Sequence, residues 1–172
     1  MDYRARKLAE LVEQHYVLLY RYAYRLTGSS ADAEDLTQQA FLIAQTKWEQ
    51  LRDETRARSW LFTIIRNAYL KQLRTDACLP IQSLVDVAEP AENLDTGDID
   101  HEQLQNVLND LPEEFRSPII LFYFEEFSYR EIADHMGIPL GTVMSRLARG
   151  KAYLRKRLTA REPAAVHALV AH

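Results

Sequence analysis

Apolar residues recur at steps of three and four along the first third of the chain, which is the period of a helix face buried on one side. The first apolar run predicts a helix that ends at residues 27–30 (TGSS). A second helix is predicted over 32–47 and a third over about 57–74, with a polar stretch at 49–59 between them. Helices of these lengths with short connections favour a small three-helix bundle. The apolar positions of the first run are Leu8, Leu11, Val12, Leu18, Leu19, Tyr22 and Leu26.

The same period returns near the C-terminus and predicts a second group of helices. Ser128 and Glu131 have the spacing of a capping box, in which each side chain accepts a hydrogen bond from the other residue's backbone N–H. Gly137 suits the left-handed end of that helix, and Pro139 suits the first turn of the next. This spacing predicts a helix-turn-helix over residues 128–158, a motif whose second helix enters the major groove of DNA.

Charge strengthens the DNA interpretation. Residues 146–161 contain seven Lys or Arg and no Asp or Glu, although the chain as a whole carries a net charge of −4. A basic helix on an acidic protein is placed to neutralise DNA phosphates. The sequence alone leaves open an ordinary helical hairpin with a solvated basic face.

The middle of the chain has the opposite character. Residues 76–114 hold eleven of the 25 acidic residues and no Lys or Arg. Within this stretch, Pro80, Pro90, Gly97 and small polar residues interrupt any helical period, which predicts a flexible acidic linker. Two interpretations stay open: a solvated spacer, or a segment that mimics nucleic-acid charge inside a basic channel of a partner.

Several function classes lack support in the residues. Cys78 is the single cysteine and the five histidines are scattered, so the sequence predicts neither a disulfide nor a metal site. No apolar run reaches membrane-spanning length, and the N-terminus lacks the apolar core of a secretory signal. Phosphate-binding loops and nucleophile motifs are also missing. We therefore expect a cytoplasmic protein that is not an enzyme and binds no cofactor or small-molecule substrate.

Four segments together resemble the extracytoplasmic-function (ECF) group of bacterial RNA polymerase sigma factors, in the sigma-70 family. They are ADAEDLTQQAFLIA (31–44), RSWLFTIIRNAYLKQLR (58–74), LPEEFRSPIILFYFEEFSYREIADHMG (111–137) and GTVMSRLARGKAYLRKRL (141–158). The resemblance implies an all-α chain of two small helical domains. Region 2 would cover residues 1–75, the acidic linker 76–97, region 4 98–161, and a tail 162–172.

The resemblance assigns a polymerase-binding surface to the second predicted helix. Acid and amide groups beside an aromatic ring suit a basic, partly apolar helix of the polymerase clamp. Relatives often have Glu at the position of Gln39. Without the family, ordinary solvated helix surface would be the preferred interpretation of Asp35 and Gln38. The assigned residues are Asp35, Gln38, Gln39 and Phe41.

The polar stretch and the third helix match the part of the family that opens and reads the minus-ten promoter element. Capturing a single strand needs cations along the backbone and a pocket for an unstacked base. Asn67 falls where the family places a base-reading residue. Trp60 could stack on a base, but its apolar neighbours favour a core position for it. The assigned residues are Arg56, Arg58, Trp60, Arg66, Asn67 and Lys71.

The start of the last helix matches the reader of the minus-thirty-five element. Arg side chains there can bind guanine through two hydrogen bonds, whereas Ser and Thr more often contact the backbone. Met144 departs from the family, in which Lys or Arg is common at this position. The assigned residues are Thr142, Met144, Ser145, Arg146, Arg149 and Lys151.

We therefore predict a transcription initiation factor that binds core RNA polymerase at its clamp and flap, and promoter DNA in double-stranded and melted form. The family also implies an anti-sigma factor as a partner. The alternative is a freestanding helix-turn-helix regulator with an N-terminal dimerisation or sensing module, which would not need both the 31–44 and the 58–74 segments. A protein-interaction adaptor would leave the basic run at 146–161 unexplained.

Overall fold

The computed structural model describes residues 2–76 and 100–170, the last eleven of them as backbone alone. Within these ranges the protein is helical throughout, which confirms the predicted all-α class. The chain divides into two compact units, with the boundary between residues 80 and 81. The predicted acidic linker lies, apart from Asp76, outside the described residues.

The first unit contains three helices: α1 (Tyr3–Thr27), α2 (Ser30–Thr46) and α3 (Ala57–Asp76). Gly28 ends α1 in the left-handed conformation, with φ of 69°. The Ser29 hydroxyl then accepts a hydrogen bond from the Asp32 N–H and caps α2. Tyr22 and Phe62 meet in the core with ring centroids 4.6 Å apart, so α1 and α3 close the bundle around fully buried side chains.

The segment between α2 and α3 is built from two single 3₁₀ turns, Trp48–Gln50 and Glu54–Arg56. The Asp53 carboxylate caps the second turn by accepting hydrogen bonds from the Thr55 N–H (3.0 Å) and hydroxyl (2.6 Å). These bonds favour the charged carboxylate and hold the pKa of Asp53 below its usual value. The polar stretch of the sequence therefore folds into two defined turns.

The second unit contains α4 (His101–Asp110), α5 (Glu113–Tyr123), α6 (Tyr129–Met136) and α7 (Leu140–Val170). Gly150 lets α7 approach α5 closely, since a Cβ at this position would lie 2.8 Å from Cγ1 of Ile119. The backbone of α7 stays helical to Val170, through most of the segment 162–172 that the sequence leaves as a tail.

The predicted helix-turn-helix is confirmed in its capping box and its glycine turn, while the position of Pro139 differs from the prediction. Ser128 and Glu131 form both hydrogen bonds of the capping box, at 3.1 and 3.2 Å. Gly137 ends α6 in the left-handed conformation, with φ of 65°. Pro139 lies one residue before α7 and not within its first turn, and its carbonyl accepts the N–H of Thr142. Val143 is buried, which packs the two helices of the motif together.

Candidate nucleic-acid and protein interfaces

One face of α2 presents polar groups around an exposed leucine. Asp35, Gln38 and Leu42 follow one another at steps of three and four residues, so they share a face of the helix. All three are exposed, Leu42 to 64%. Gln39 beside them is half-buried, and its amide oxygen lies 3.5 Å from the Gln72 amide nitrogen of α3. The arrangement suits a partner helix that carries basic and apolar groups.

Phe41, predicted to contact the polymerase, lies mostly in the core. Its side chain is 8% exposed and its ring stacks on Tyr16 of α1 at a centroid distance of 6.3 Å. Phe41 therefore fixes α2 against α1 and offers little surface to a partner. Leu42 supplies the exposed apolar group that the sequence assigned to Phe41.

A polar face runs along α3. Trp60, Thr63, Asn67, Lys71 and Arg74 recur at steps of three and four residues, which places them on one side of the helix. Asn67, Lys71 and Arg74 are exposed, and Trp60 is half-buried at the N-terminal end. Trp60, for which the sequence favoured a core position, thus lies at the edge of the exposed face. Its neighbours Leu61 and Ile65 are fully buried.

An open pocket of about 340 Å³ lies at the N-terminal end of this face. Its walls come from the 3₁₀ turns and from the first two turns of α3. Arg56 contributes a cation 3.9 Å from the Asp53 carboxylate, and Trp60 contributes an aromatic ring. The lining residues are Gln50, Leu51, Arg52, Asp53, Arg56, Ser59, Trp60 and Thr63.

Two of the predicted minus-ten residues lie away from this face. Arg58 places its guanidinium 5.6 Å from the centroid of the Phe62 ring. It also acts on His15 of α1, whose pKa is lowered first by burial and then by the Arg58 charge. Arg66 lies about a quarter-turn from Asn67 and is half-buried. The structure thus brings Arg56, Trp60, Asn67 and Lys71 together and leaves Arg58 and Arg66 on other sides of α3.

In the second unit, the start of α7 exposes the predicted DNA-reading residues. Ser145 and Arg149 lie one turn apart and are exposed, and Met144 beside them is 52% exposed. Thr142 and Arg146 are half-buried. Arg146 lies 3.9 Å from the Glu114 carboxylate of α5, an ion pair that holds its guanidinium at the edge of the exposed face.

Lys151 does not share that face. Its side chain is 4% exposed, with the ammonium 5.2 Å from the Phe122 ring centroid and 5.4 Å from that of Tyr123. A cation over two aromatic faces stabilises the packing of α7 on α5. The burial gives no support to the predicted contact between Lys151 and DNA.

Sequence reasoning missed several residues that the fold brings to these surfaces. The sequence pattern could have indicated that Leu42 is exposed, because Leu42 lies outside the buried stripe of Leu36, Ala40 and Ala44. Asp53 and Ser59 line the pocket only because the 3₁₀ turns fold back beside α3, which helical periodicity does not predict.

Two further observations concern the described ranges alone. They contain no cluster of three His, Cys, Asp or Glu side chains arranged to hold a metal ion. Nor does any helix there combine the length and the apolar character needed to cross a bilayer.

Comparison with known proteins matches both units to one family. The family "Sigma-70 region 2" matches residues 11–77, and "Sigma-70, region 4" matches residues 101–154. The ECF RNA polymerase sigma factor SigE of Mycolicibacterium smegmatis is 38% identical over 156 residues, covering 87% of this chain. The match spans only 60% of SigE. The ECF RNA polymerase sigma factor SigL of Mycobacterium tuberculosis is 34% identical over 142 residues, with 80% of each chain covered.

A solved structure agrees with these matches. The sigma factor RpoE from Bartonella quintana, in complex with the anti-sigma factor NepR, is 28% identical and superposes with a TM-score of 0.71. The superposition covers 91% of this chain and 99% of that one. The family predicted from the four segments is confirmed, and the chain belongs to the ECF RNA polymerase sigma factors.

Proposed function

We propose that this sigma factor binds core RNA polymerase, directs it to promoters through two DNA-reading surfaces, and assists melting near the start site. The polymerase supplies the chemistry, and the sigma factor acts in the cytoplasm without catalysing a reaction. The observation that carries the proposal is the open pocket at the end of the polar face of α3, within the region 2 unit.

The pocket and the face suit a melted minus-ten strand. The pocket is open to solvent, and its volume of about 340 Å³ is at the lower end of the range for small-molecule sites. Trp60 and Arg56 offer an aromatic ring and a cation to an unstacked base and its phosphate. Asn67 can donate to and accept from a base edge, and Lys71 and Arg74 continue the cationic track.

The Asn67→Ala variant tests this surface. It removes a donor and an acceptor without changing charge, so open-complex formation should fall in a promoter-sequence-dependent way while its salt dependence stays the same. Fluorescence of a base analogue in the minus-ten strand, with core polymerase present, measures opening. Asn106→Ala is the matched control, because Asn106 is an exposed asparagine on α4. Equal loss in both variants, or none in either, would contradict the assignment.

The region 4 unit supports reading of the minus-thirty-five duplex through Thr142, Met144, Ser145, Arg146 and Arg149. Arg149→Ala should weaken binding to the matched element by about 1–3 kcal/mol if its guanidinium binds a base through two hydrogen bonds. Lys156, also exposed on α7, provides the comparison. Lys156→Ala should weaken binding to every sequence alike and lower the salt slope by about one unit. Titrations at several salt concentrations separate the two effects.

We assign the face of α2 formed by Asp35, Gln38 and Leu42 to the polymerase clamp. Leu42→Ala removes an exposed apolar anchor that would be buried on binding, so the affinity for core polymerase should fall. Val17→Ala is the control, since Val17 is a similarly exposed apolar residue (59%) on α1. A pull-down in which both variants bind as well as the parent protein would remove α2 from the interface.

An anti-sigma factor is the remaining partner of the proposal. RpoE is bound to the anti-sigma factor NepR in its solved structure, and the likeness of this chain to RpoE supports a similar inhibitor here. Such a protein would inhibit by covering the proposed binding faces, which include the exposed Leu42 and Met144. Purification of the protein from its native host should recover polymerase subunits or a small inhibitor bound to it.

A further inference from the structure

The segment 47–56, which forms part of the pocket wall, is shaped by local bonds. The Leu51 N–H donates to the Trp48 carbonyl (3.0 Å), and the Arg56 N–H donates to the Asp53 carbonyl (3.0 Å). Bonds between residues three apart set the shape of each turn, but they do not fix the turns against the bundle. The second turn continues directly into α3 at Ala57, so the side of the segment that faces α1 is held by side-chain contacts.

One side of the segment faces the N-terminal half of α1. A cavity of about 120 Å³ separates the two, with Trp48 and Leu51 of the segment facing Leu11 and His15 of α1. Leu11 is 7% exposed, while Trp48 and Leu51 are each half-buried. The segment therefore packs only loosely on α1, because its few apolar residues there surround a cavity.

Two ion pairs between α1 and the segment lie beside this cavity. Nη2 of Arg4 lies 2.5 Å from Oε1 of Glu49, and Nζ of Lys7 lies 3.1 Å from Oε2 of Glu54. Glu49 belongs to the first 3₁₀ turn and Glu54 to the second, so each turn has its own link to α1. The hydrogen bond and charge of Glu54 raise the pKa of Lys7. Exposed pairs of this kind add little to global stability, but here they join both turns of the segment to the same helix.

The other side of the same segment forms the pocket. Arg52, Asp53 and Arg56 line it, and Leu51 contacts both the cavity at α1 and the pocket at α3. A shift of the segment away from α1 would therefore move the pocket wall relative to Trp60. The shape of the pocket therefore depends on contacts between the segment and α1, which lie outside the pocket.

We propose that Arg4 and Lys7 are positioning residues, which hold segment 47–56 on α1 so that the pocket is formed before the DNA strand enters. This inference rests on the proposed function of the pocket. A site held in its binding shape in advance loses less free energy to ordering when its ligand binds. The alternative is that Arg4 and Lys7 contact DNA phosphates directly as simple cations.

The Glu54→Lys variant distinguishes most clearly between the positioning role and direct contact with DNA phosphates. A simple charge effect predicts that this added cation improves DNA binding. The positioning account predicts that it impairs promoter opening, because it breaks the pair with Lys7. Lys7→Glu should impair opening as well, by about two- to fivefold, in line with the strength of exposed ion pairs. The exchange Lys7→Glu with Glu54→Lys should restore opening, since the pair is rebuilt with reversed charges.

The experiment uses the full chain with core polymerase and measures the rate of promoter opening alongside core binding. Glu13→Lys is the matched control, because it makes the same change of charge at an exposed position of α1 outside the pairs. Arg4→Glu with Glu49→Arg gives an independent exchange. Restoration by either exchange, with core binding unchanged throughout, supports the positioning role.

Faster opening by Glu54→Lys, or exchanges that fail to restore opening, would overturn the positioning role. Asn67→Ala, measured in the same assay, separates this failure from that of the proposed function. If Asn67→Ala impairs opening while the ion-pair variants do not, only the positioning role fails. If Asn67→Ala also leaves opening unchanged, the assignment of the pocket itself fails.

Discussion

Met144, like Leu140 one turn before it, is an exposed apolar side chain on a helix face that also carries polar and charged residues. It can offer a base edge neither a hydrogen bond nor a charge. In the major groove, the apolar group that remains for it to contact is the C5-methyl of thymine. Its exposure of 52% leaves that contact area available.

Replacing thymine by deoxyuridine in the minus-thirty-five element tests this contact, because the change removes only the methyl group. Burial of one such group is worth about 0.8 kcal/mol, so affinity should fall about fourfold at the contacted thymine. Met144→Ala should abolish the difference between the two DNAs. Arg149→Ala is the control and should weaken binding while keeping the sensitivity to deoxyuridine. Equal binding of both DNAs by the parent protein would contradict the contact.

His15 links region 2 stability to pH. Its pKa in the folded protein lies below the ordinary value of 6.5, first because of burial and then because of Arg58. Well above pH 6.5 the histidine is neutral in both the folded and the unfolded state. As pH falls through 6.5, the unfolded chain binds a proton that the folded protein resists, so the free energy of unfolding decreases.

The comparison of the parent protein with His15→Gln isolates this effect. Urea unfolding of each at pH 7.5 and pH 5.5 should show a larger loss of stability in the parent, since the variant lacks the titrating group. An equal pH dependence in both proteins would show that His15 titrates alike in the folded and unfolded states.

Among the elements, α5 and α7 approach each other closely at Gly150. A Cβ on Gly150 would lie 2.8 Å from Cγ1 of Ile119, whereas one on Gly141 of the same helix would meet nothing within 4 Å. Alanine substitutions at the two glycines therefore distinguish the effect of packing on stability from that of intrinsic helix propensity.

Gly150→Ala should destabilise region 4, since overpacking costs about 1–3 kcal/mol and the gain in helix propensity offsets about 1 kcal/mol of it. Gly141→Ala should stabilise the helix by up to about 1 kcal/mol, because it gains propensity without a clash. Thermal unfolding of the full chain measures both. A stabilised Gly150→Ala protein would mean that Ile119 moves aside without cost.

Elements with a strong local signal were predictable from the sequence. The capping box at Ser128 and the glycine at 137 fix the helix-turn-helix through bonds between near neighbours, and apolar periodicity located α1, α2 and α3. The pocket was not predictable, because its walls join two 3₁₀ turns to α3 through tertiary contacts. Phe41 and Lys151 were assigned to surfaces from the family pattern, but their burial depends on Tyr16 and on Phe122 with Tyr123.

The whole molecule divides its tasks between two separately packed units. We propose that region 2 binds the polymerase through α2 and the melted strand through the pocket at α3, and that region 4 reads the duplex through α7. A freestanding helix-turn-helix regulator would need the second unit and would have no use for a polymerase surface and a single-strand pocket in the first. Dependence on core polymerase therefore distinguishes the two functions.

Run-off transcription tests that dependence most directly. Core RNA polymerase is incubated with or without the protein on a promoter fragment from upstream of its own gene, and transcripts of defined length are measured. We predict that these transcripts form only when the protein is present and that Asn67→Ala reduces them while Asn106→Ala does not. Failure of the protein to bind core polymerase, or to produce any promoter-dependent transcript with it, would contradict the account.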